Sequence, residues 1–126
     1  MDKDTNITKN FKWGEFWSGN IEPPEKYKDN IYRLAGELQK LRDAVNRPIR
    51  ITSGYRTPEH NKAVGGAKNS QHLYGKAADI KVVGMHSREV PVYAARYTNC
   101  MGFGISNRVN SITHLDIRDR FTLWFY

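Results

Sequence analysis

Three residues of this 126-residue chain have the side chains and the spacing of an open metal site. His72 and Asp79 lie seven residues apart, and His114 follows near the C-terminus. Two imidazoles and one carboxylate are ligands that Zn²⁺ accepts, and a catalytic zinc site keeps its fourth position open for water. Cys100 is the only cysteine, so a metal would depend on nitrogen and oxygen ligands. The pattern therefore predicts a zinc site that does chemistry.

Hydrophobic periodicity predicts the helices that would support such a site. Apolar residues recur at helical spacing through 25–46, and Pro48 follows, which predicts a long amphipathic helix. Segment 87–99 has a similar inner face, and Ser87 could cap it as a second helix. A short helix is expected after Thr57, which would be its N-cap.

Five segments have the alternation or the β-branched composition of strands: 49–53, 77–83, 102–106, 111–117 and 121–126. A polar turn at 107–110 would join the third strand to the fourth. The predicted fold class is α+β, a long helix packed on a small, mainly antiparallel sheet. Alternation puts His114 and Asp116 on one strand face, and a polar row there is expected to line a cleft.

Length and composition suit a single domain with one core. Residues 1–10 are polar and are predicted to form a flexible tail, while residues 11–126 form the domain, which is expected to be a monomer. Apolar runs are too short for a transmembrane segment, and the N-terminus lacks the apolar region of a signal peptide. Synthesis in the cytoplasm is therefore expected. The formal net charge of +7 favours anionic partners such as nucleic acid, lipid or bacterial wall.

Segment 70–79 has the pattern Ser-x-His-x-x-Gly-x-Ala-x-Asp, and a distant His follows it. In this it resembles the zinc D-Ala-D-Ala carboxypeptidase / L-alanyl-D-glutamate endopeptidase family. That family shares its fold with the vancomycin-resistance D,D-dipeptidase and the Hedgehog signalling domain. Other segments are similar to the phage-type branch of the family: 10–11, 15–16, 38–42, 51–61 and 64–67. The resemblance covers nearly the whole chain after residue 10.

The resemblance implies that the same two histidines and aspartate hold one zinc ion per chain. It also implies that Arg56 helps to bind or polarise the substrate and that Ser70 lines the site. A guanidinium suits a peptide carboxylate or a developing oxyanion. Arg56 could instead pair with Glu59 at the surface, and Ser70 could simply bond to the loop backbone.

The residue that transfers the proton is the point at which this chain departs from the family pattern. Several relatives carry a carboxylate three residues before the second histidine ligand, where this chain has Ser111. Asp116 is predicted to be the general base instead, because it lies on the same strand face as His114, roughly 6–7 Å away. The alternative is that Asp116 orients a metal ligand or pairs with Arg118.

By resemblance, the substrate is a peptidoglycan stem peptide or cross-link. A phage or prophage endolysin released to the wall by a holin would fit. One alternative is a non-catalytic zinc domain of a virion or tail component that binds wall peptides. A basic nucleic-acid binder would show steeply salt-dependent affinity, but no recognised motif supports it and no nucleic-acid partner is expected.

Overall fold

The computed structural model describes residues 1–108 and 111–126, so the turn predicted at 107–110 lies partly outside the described residues. Among them are five strands: β1 (Ile49–Ser53), β2 (Ala77–Val82), β3 (Gly102–Ile105), β4 (Thr113–Asp116) and β5 (Thr122–Phe125). They form one sheet in the order β1-β2-β4-β3-β5. Three of the strand pairs are antiparallel, and β3 with β5 is parallel. The predicted, mainly antiparallel sheet is confirmed.

The long helix α1 spans Lys28–Val45 and follows a 3₁₀ turn at Glu25–Tyr27. Its buried side chains are those of the predicted apolar stripe: Ile31, Leu34, Ala35, Leu38 and Leu41. Asn46 adopts a left-handed conformation, with φ of 50°, at the C-terminal end. The prediction of a long helix packed on a small sheet is confirmed.

Two shorter α-helices are present among the described residues. Helix α2 spans Pro58–Ala63, and the Thr57 side chain accepts a hydrogen bond from the His60 amide, as an N-cap does. Helix α3 spans Glu89–Tyr97. The prediction that Ser87 caps α3 is wrong.

Ser87 instead donates its hydroxyl to the carbonyl of Arg108, and the Thr113 hydroxyl donates to the Ser87 carbonyl. These bonds join the start of α3 to the end of the sheet and leave the helix without a side-chain cap.

Residues 1–10, predicted to form a flexible tail, lie against the rest of the chain. The amide of Gly14 donates to the carbonyl of Lys3 at 2.7 Å, and the amide of Trp13 donates to the carbonyl of Thr5 at 2.9 Å. The Thr8 hydroxyl reaches the Gln39 side chain on α1 at 2.8 Å. This segment is therefore packed on the domain rather than loose.

The two faces of the sheet differ. Ile80 of β2, Phe103 of β3 and Leu115 of β4 point into the hydrophobic core, which also contains the inner face of α1. Asp79 and His114, which alternate with them, lie on the other face and pair in register across β2 and β4. That second face carries the functional site. None of the helices in the described ranges is long and apolar enough to cross a membrane.

Candidate metal centre

The fold brings the three predicted metal ligands together. His72 lies in a 3₁₀ turn, Gln71–Tyr74. The Ser70 hydroxyl caps the start of this turn by accepting a hydrogen bond from the His72 amide at 3.2 Å. Gly75 ends the turn with φ of 68°, a conformation that glycine adopts without strain. This turn holds His72 over Asp79 and His114 of the sheet.

Two of the distances between the ligand atoms match those of a tetrahedral zinc site. Asp79 Oδ1 lies 3.2 Å from His72 Nε2 and 3.1 Å from His114 Nδ1. One ligand atom from each of the three residues lies within 4.8 Å of the other two. Metal–ligand bonds of about 2.0–2.1 Å in a tetrahedron separate neighbouring ligand atoms by about 3.3 Å. The donor set and its spacing fit Zn²⁺.

The other ring nitrogen of each histidine forms a hydrogen bond with a protein group. His72 Nδ1 lies 2.7 Å from the carbonyl oxygen of Gly54, which can only accept, so this nitrogen carries the hydrogen. His114 Nε2 lies 2.7 Å from Asp116 Oδ2 and likewise donates. In the neutral rings, His72 Nε2 and His114 Nδ1 are thus left as lone-pair donors. Three electron-rich atoms converge on one point, an arrangement that a cation stabilises.

The pKa values of Asp79 and His114 describe the metal-free site, in which the imidazoles can be protonated and donate to the carboxylate. Burial alone would raise the pKa of Asp79, but hydrogen bonds from His114 and His72 and their charge hold it well below its ordinary value. Burial would lower the pKa of His114, and its bonds to Asp116 and Asp79 outweigh burial and raise it. Asp79 is therefore ionised at neutral pH, as metal binding needs.

Arg56 lies beside the ligands and fixes the second oxygen of Asp79. Its Nη2 donates to Asp79 Oδ2 at 3.1 Å, its Nε to Ser53 at 3.1 Å and its Nη1 to Asn61 at 3.3 Å. Within the described residues, its ion pair is with Asp79 and not with Glu59, which is exposed on α2. Arg56 leaves Asp79 Oδ1 free for the metal, and it also lines the cleft.

Asp116 lies behind His114 and has no exposed surface. Its Oδ1 accepts from the Arg118 amide and Nε, at 3.1 and 2.8 Å, and its Oδ2 accepts from His114 and from Arg118 Nη2, both at 2.7 Å. Burial would raise the pKa of Asp116, yet these bonds lower it to about 2. The geometry favours the alternative in which Asp116 orients a ligand and pairs with Arg118 over the predicted role of general base.

An open cleft of about 820 Å³ lies over the three ligands. Loop 64–71 forms one wall and includes Ser70, which thus both lines the site and bonds the backbone. Trp124 and Tyr126, from the last residues of the sequence, also line the cleft. The sequence pattern predicts a strand there, but it assigns no role to these aromatics. The alternation of β5, which turns Trp124 to the site face, was the available signal.

Basic side chains outnumber acidic ones among the described residues that line the cleft. Arg56, Lys68 and Arg118 line it, and Asp79 is the one carboxylate among its described lining residues. Ser111 does not line it. Such a cleft suits a substrate that bears carboxylates.

Comparison with known proteins places this arrangement in a family. The sequence profile of the peptidase M15 family matches residues 7–116. A zinc D-Ala-D-Ala carboxypeptidase from Streptomyces albus G is 36% identical over 87 residues, which cover 64% of this chain and 34% of the relative. The chain thus spans about a third of the length of that relative. Because the profile match covers most of the chain and includes all three ligands and Asp116, the chain belongs to the peptidase M15 family.

Proposed function

We propose that this chain is a zinc-dependent peptidase that hydrolyses an amide bond in peptidoglycan stem peptides or cross-links. The observation that carries the proposal is the convergence of one ligand atom each from His72, Asp79 and His114 within 4.8 Å, in an open cleft. The similarity to a zinc D-Ala-D-Ala carboxypeptidase supports both the metal and the substrate class. Carboxypeptidase and endopeptidase cleavage are both within the proposal.

The residues around the metal have separable tasks. When bound, zinc acts as a Lewis acid that polarises a carbonyl group and activates water at neutral pH. Arg56 holds Asp79 through Oδ2, and the cleft lined by Arg56, Lys68 and Arg118 attracts the carboxylates of a stem peptide. Trp124 supplies an apolar wall against which the peptide can lie.

Hydrolysis adds water across the amide, so one proton must pass from the water to the leaving nitrogen. Asp116 is the acceptor predicted from sequence. A general base must lie within hydrogen-bond reach of the water, directly or through one further water. The four hydrogen bonds that Asp116 accepts, together with its complete burial, support a role in holding His114 instead.

A second candidate function is a zinc domain that binds wall peptides without cleaving them, as in a virion or tail component. One observation favours it: the described residues that line the cleft include no carboxylate other than the ligand Asp79. Binding without turnover would need only the metal and the cationic walls. The two functions differ in whether new peptide termini form.

The biological setting is also a proposal. The resemblance to the phage-type branch supports an endolysin that acts on the wall after holin-type release from the host cytoplasm. Lysis on co-expression with a holin, and not without one, is the expected result. Equal lysis in both cultures would exclude dependence on release.

Digestion of purified peptidoglycan tests the central proposal. Zinc-loaded protein should produce new amine and carboxyl termini, and mass spectrometry of the muropeptides should identify one bond. His72→Ala and His114→Ala should lose both zinc and activity. His86→Ala is a matched control, because this histidine lies outside the metal cluster. Wall binding without new termini, across several wall types, would reject the peptidase and leave the binding function.

A further inference from the structure

Two glycines of β3 make room for side chains of the neighbouring strands. Gly102 pairs with Asp116 across β3 and β4, and Gly104 pairs with His114. A Cβ atom on Gly102 would overlap the Asp116 carboxylate. A Cβ atom on Gly104 would lie 2.8 Å from the Trp124 ring and 2.9 Å from His114 Cβ, closer than real Cβ contacts. The sheet is therefore built to let Asp116 and Trp124 reach the region around His114.

Arg118 clamps the carboxylate that holds His114. Its Nε donates to Asp116 Oδ1 at 2.8 Å and its Nη2 to Asp116 Oδ2 at 2.7 Å. This is the two-pronged geometry in which a guanidinium fixes both position and orientation of a carboxylate. The Asp116 oxygen that Nη2 contacts is the one that accepts from His114 Nε2. Any rotation of Asp116 that would release His114 must also break the pair with Arg118.

Trp124, on the edge strand β5, contacts both His114 and Arg118. Its ring centroid lies 4.9 Å from that of His114, with an angle of 56° between the planes. The Arg118 guanidinium carbon lies 5.2 Å from the centroid of the same indole, within the range of a cation–π contact. Trp124 therefore touches both the metal ligand and the residue that clamps its partner.

We propose that Arg118 and Trp124 are positioning residues that hold the His114 imidazole with Nδ1 turned toward His72 and Asp79. Arg118 acts through Asp116, and Trp124 limits rotation of the ring by direct contact. The identity of the metal as zinc rests on the proposed function, whereas the orientation of His114 is a property of the protein itself. The two can be measured separately.

Loss of either contact should weaken metal binding without unfolding the protein. Partners that orient a metal-ligating histidine typically change metal affinity by about 10- to 100-fold when they are removed. Arg118→Gln should raise the zinc Kd by about tenfold or more, since it removes the charged fork. Trp124→Ala should do the same by freeing the ring, and Trp124→Phe should restore most of the affinity because it keeps an aromatic face.

The experiment combines zinc affinity with the tautomer of His114. Competition with a chromophoric chelator gives the zinc Kd, and ¹⁵N–¹H spectra of metal-free protein show which imidazole nitrogen carries the hydrogen. Wild type should show an Nε2–H tautomer for neutral His114, and Arg118→Gln and Trp124→Ala should show mixed tautomers or an averaged signal. Circular dichroism and thermal unfolding confirm that each variant is folded.

Two controls separate positioning from general effects of mutation. Arg120→Gln removes an exposed arginine nearby, and Leu123→Ala removes a side chain from the opposite face of β5. Both should keep wild-type zinc affinity. Folded Arg118→Gln and Trp124→Ala proteins with unchanged zinc Kd and an unchanged His114 tautomer would overturn the inference, even if their KM for wall peptides rose. Failure of wild type to bind zinc would reject the proposed function, while the tautomer would still decide this inference.

Discussion

The imidazole rings of His72 and His114 lie nearly perpendicular, at 77° between planes, with their centroids 5.2 Å apart, and they present different ring nitrogens to the metal site. His72 presents Nε2 and His114 presents Nδ1. Because ligation through one nitrogen leaves the other with a hydrogen to donate, each ring needs an acceptor on its far side. A backbone carbonyl serves His72, and the carboxylate of Asp116 serves His114. This asymmetry explains why a buried carboxylate lies two residues after one ligand.

The role of Asp116 can be decided by the substitution Asp116→Asn. If Asp116 orients His114, the zinc Kd should rise by about 10-fold or more, because the charged acceptor and the pair with Arg118 are both weakened. If it is the general base, the zinc Kd should stay the same while kcat falls by about 10²-fold or more. Chelator competition and turnover on muropeptides distinguish the two. Asp119→Asn, at an exposed position three residues later, is the matched control.

Zinc affinity should depend on pH through His114. Its raised pKa means that metal-free protein keeps a proton on this ring above the ordinary His value of about 6.5, and zinc must displace it. The zinc Kd should therefore rise as the pH falls, by about tenfold per pH unit below the His114 pKa. Proton release on binding can be measured by calorimetry in buffers of different ionisation enthalpy. An affinity that does not change between about pH 6 and pH 8 would contradict this.

The same shift predicts how the stability of metal-free protein depends on pH. A raised pKa in the folded state means that protonated His114 stabilises the fold. That contribution is fully present below about pH 6.5, the unfolded value, and is lost as the pH rises through the folded pKa. Asp116→Asn should reduce this dependence because it removes the negative charge beside the ring. Denaturant unfolding of the metal-free proteins at several pH values measures the effect.

Much of this architecture could be predicted from sequence, since it depends on local patterns. The apolar stripe of α1 and the Thr57 cap are set by nearby residues, and both are found as predicted. Two of the metal ligands could be predicted for the same reason, because His72 and Asp79 lie in one short segment. The side of β4 that carries His114 follows from simple alternation.

The rest depends on contacts between distant segments, which periodicity does not encode. Asp116 is buried because Gly102, on a separate strand, leaves space for its carboxylate. Trp124 reaches His114 only because β5 joins β3 in parallel, a pairing that requires a crossover. Ser87 has the residue type of a helix cap, but tertiary bonds to Arg108 take its hydroxyl instead. The two glycines of β3 were a usable signal, because glycine within a strand often marks a close approach.

The substitution Gly102→Ala should disturb the packing around Asp116. A methyl group there would displace the Asp116 carboxylate, so both the free energy of unfolding and the zinc affinity should fall. We expect a stability loss of about 1–3 kcal/mol from overpacking. Gly36→Ala is a control for which we expect the opposite change in the free energy of unfolding. Nothing lies within 4 Å of its Cβ position on α1, so alanine should stabilise the helix by about 0.5–1 kcal/mol. Urea unfolding measures both changes, and equal stability of Gly102→Ala and wild type would contradict the packing argument.

Arg56→Lys should separate charge from geometry at the third ligand. The guanidinium bonds Ser53, Asn61 and Asp79 at once, and a single ammonium group cannot reproduce that planar arrangement. Asp79 should then rotate more freely, and both the zinc affinity and kcat/KM should fall although the charge is retained. Glu59→Gln is the control. If Arg56 acted through a surface ion pair with Glu59, the two variants would lose zinc affinity and turnover to a similar extent. If instead Glu59→Gln matches wild type in chelator competition and turnover while Arg56→Lys does not, the function of Arg56 lies in its contacts with Asp79 and the cleft.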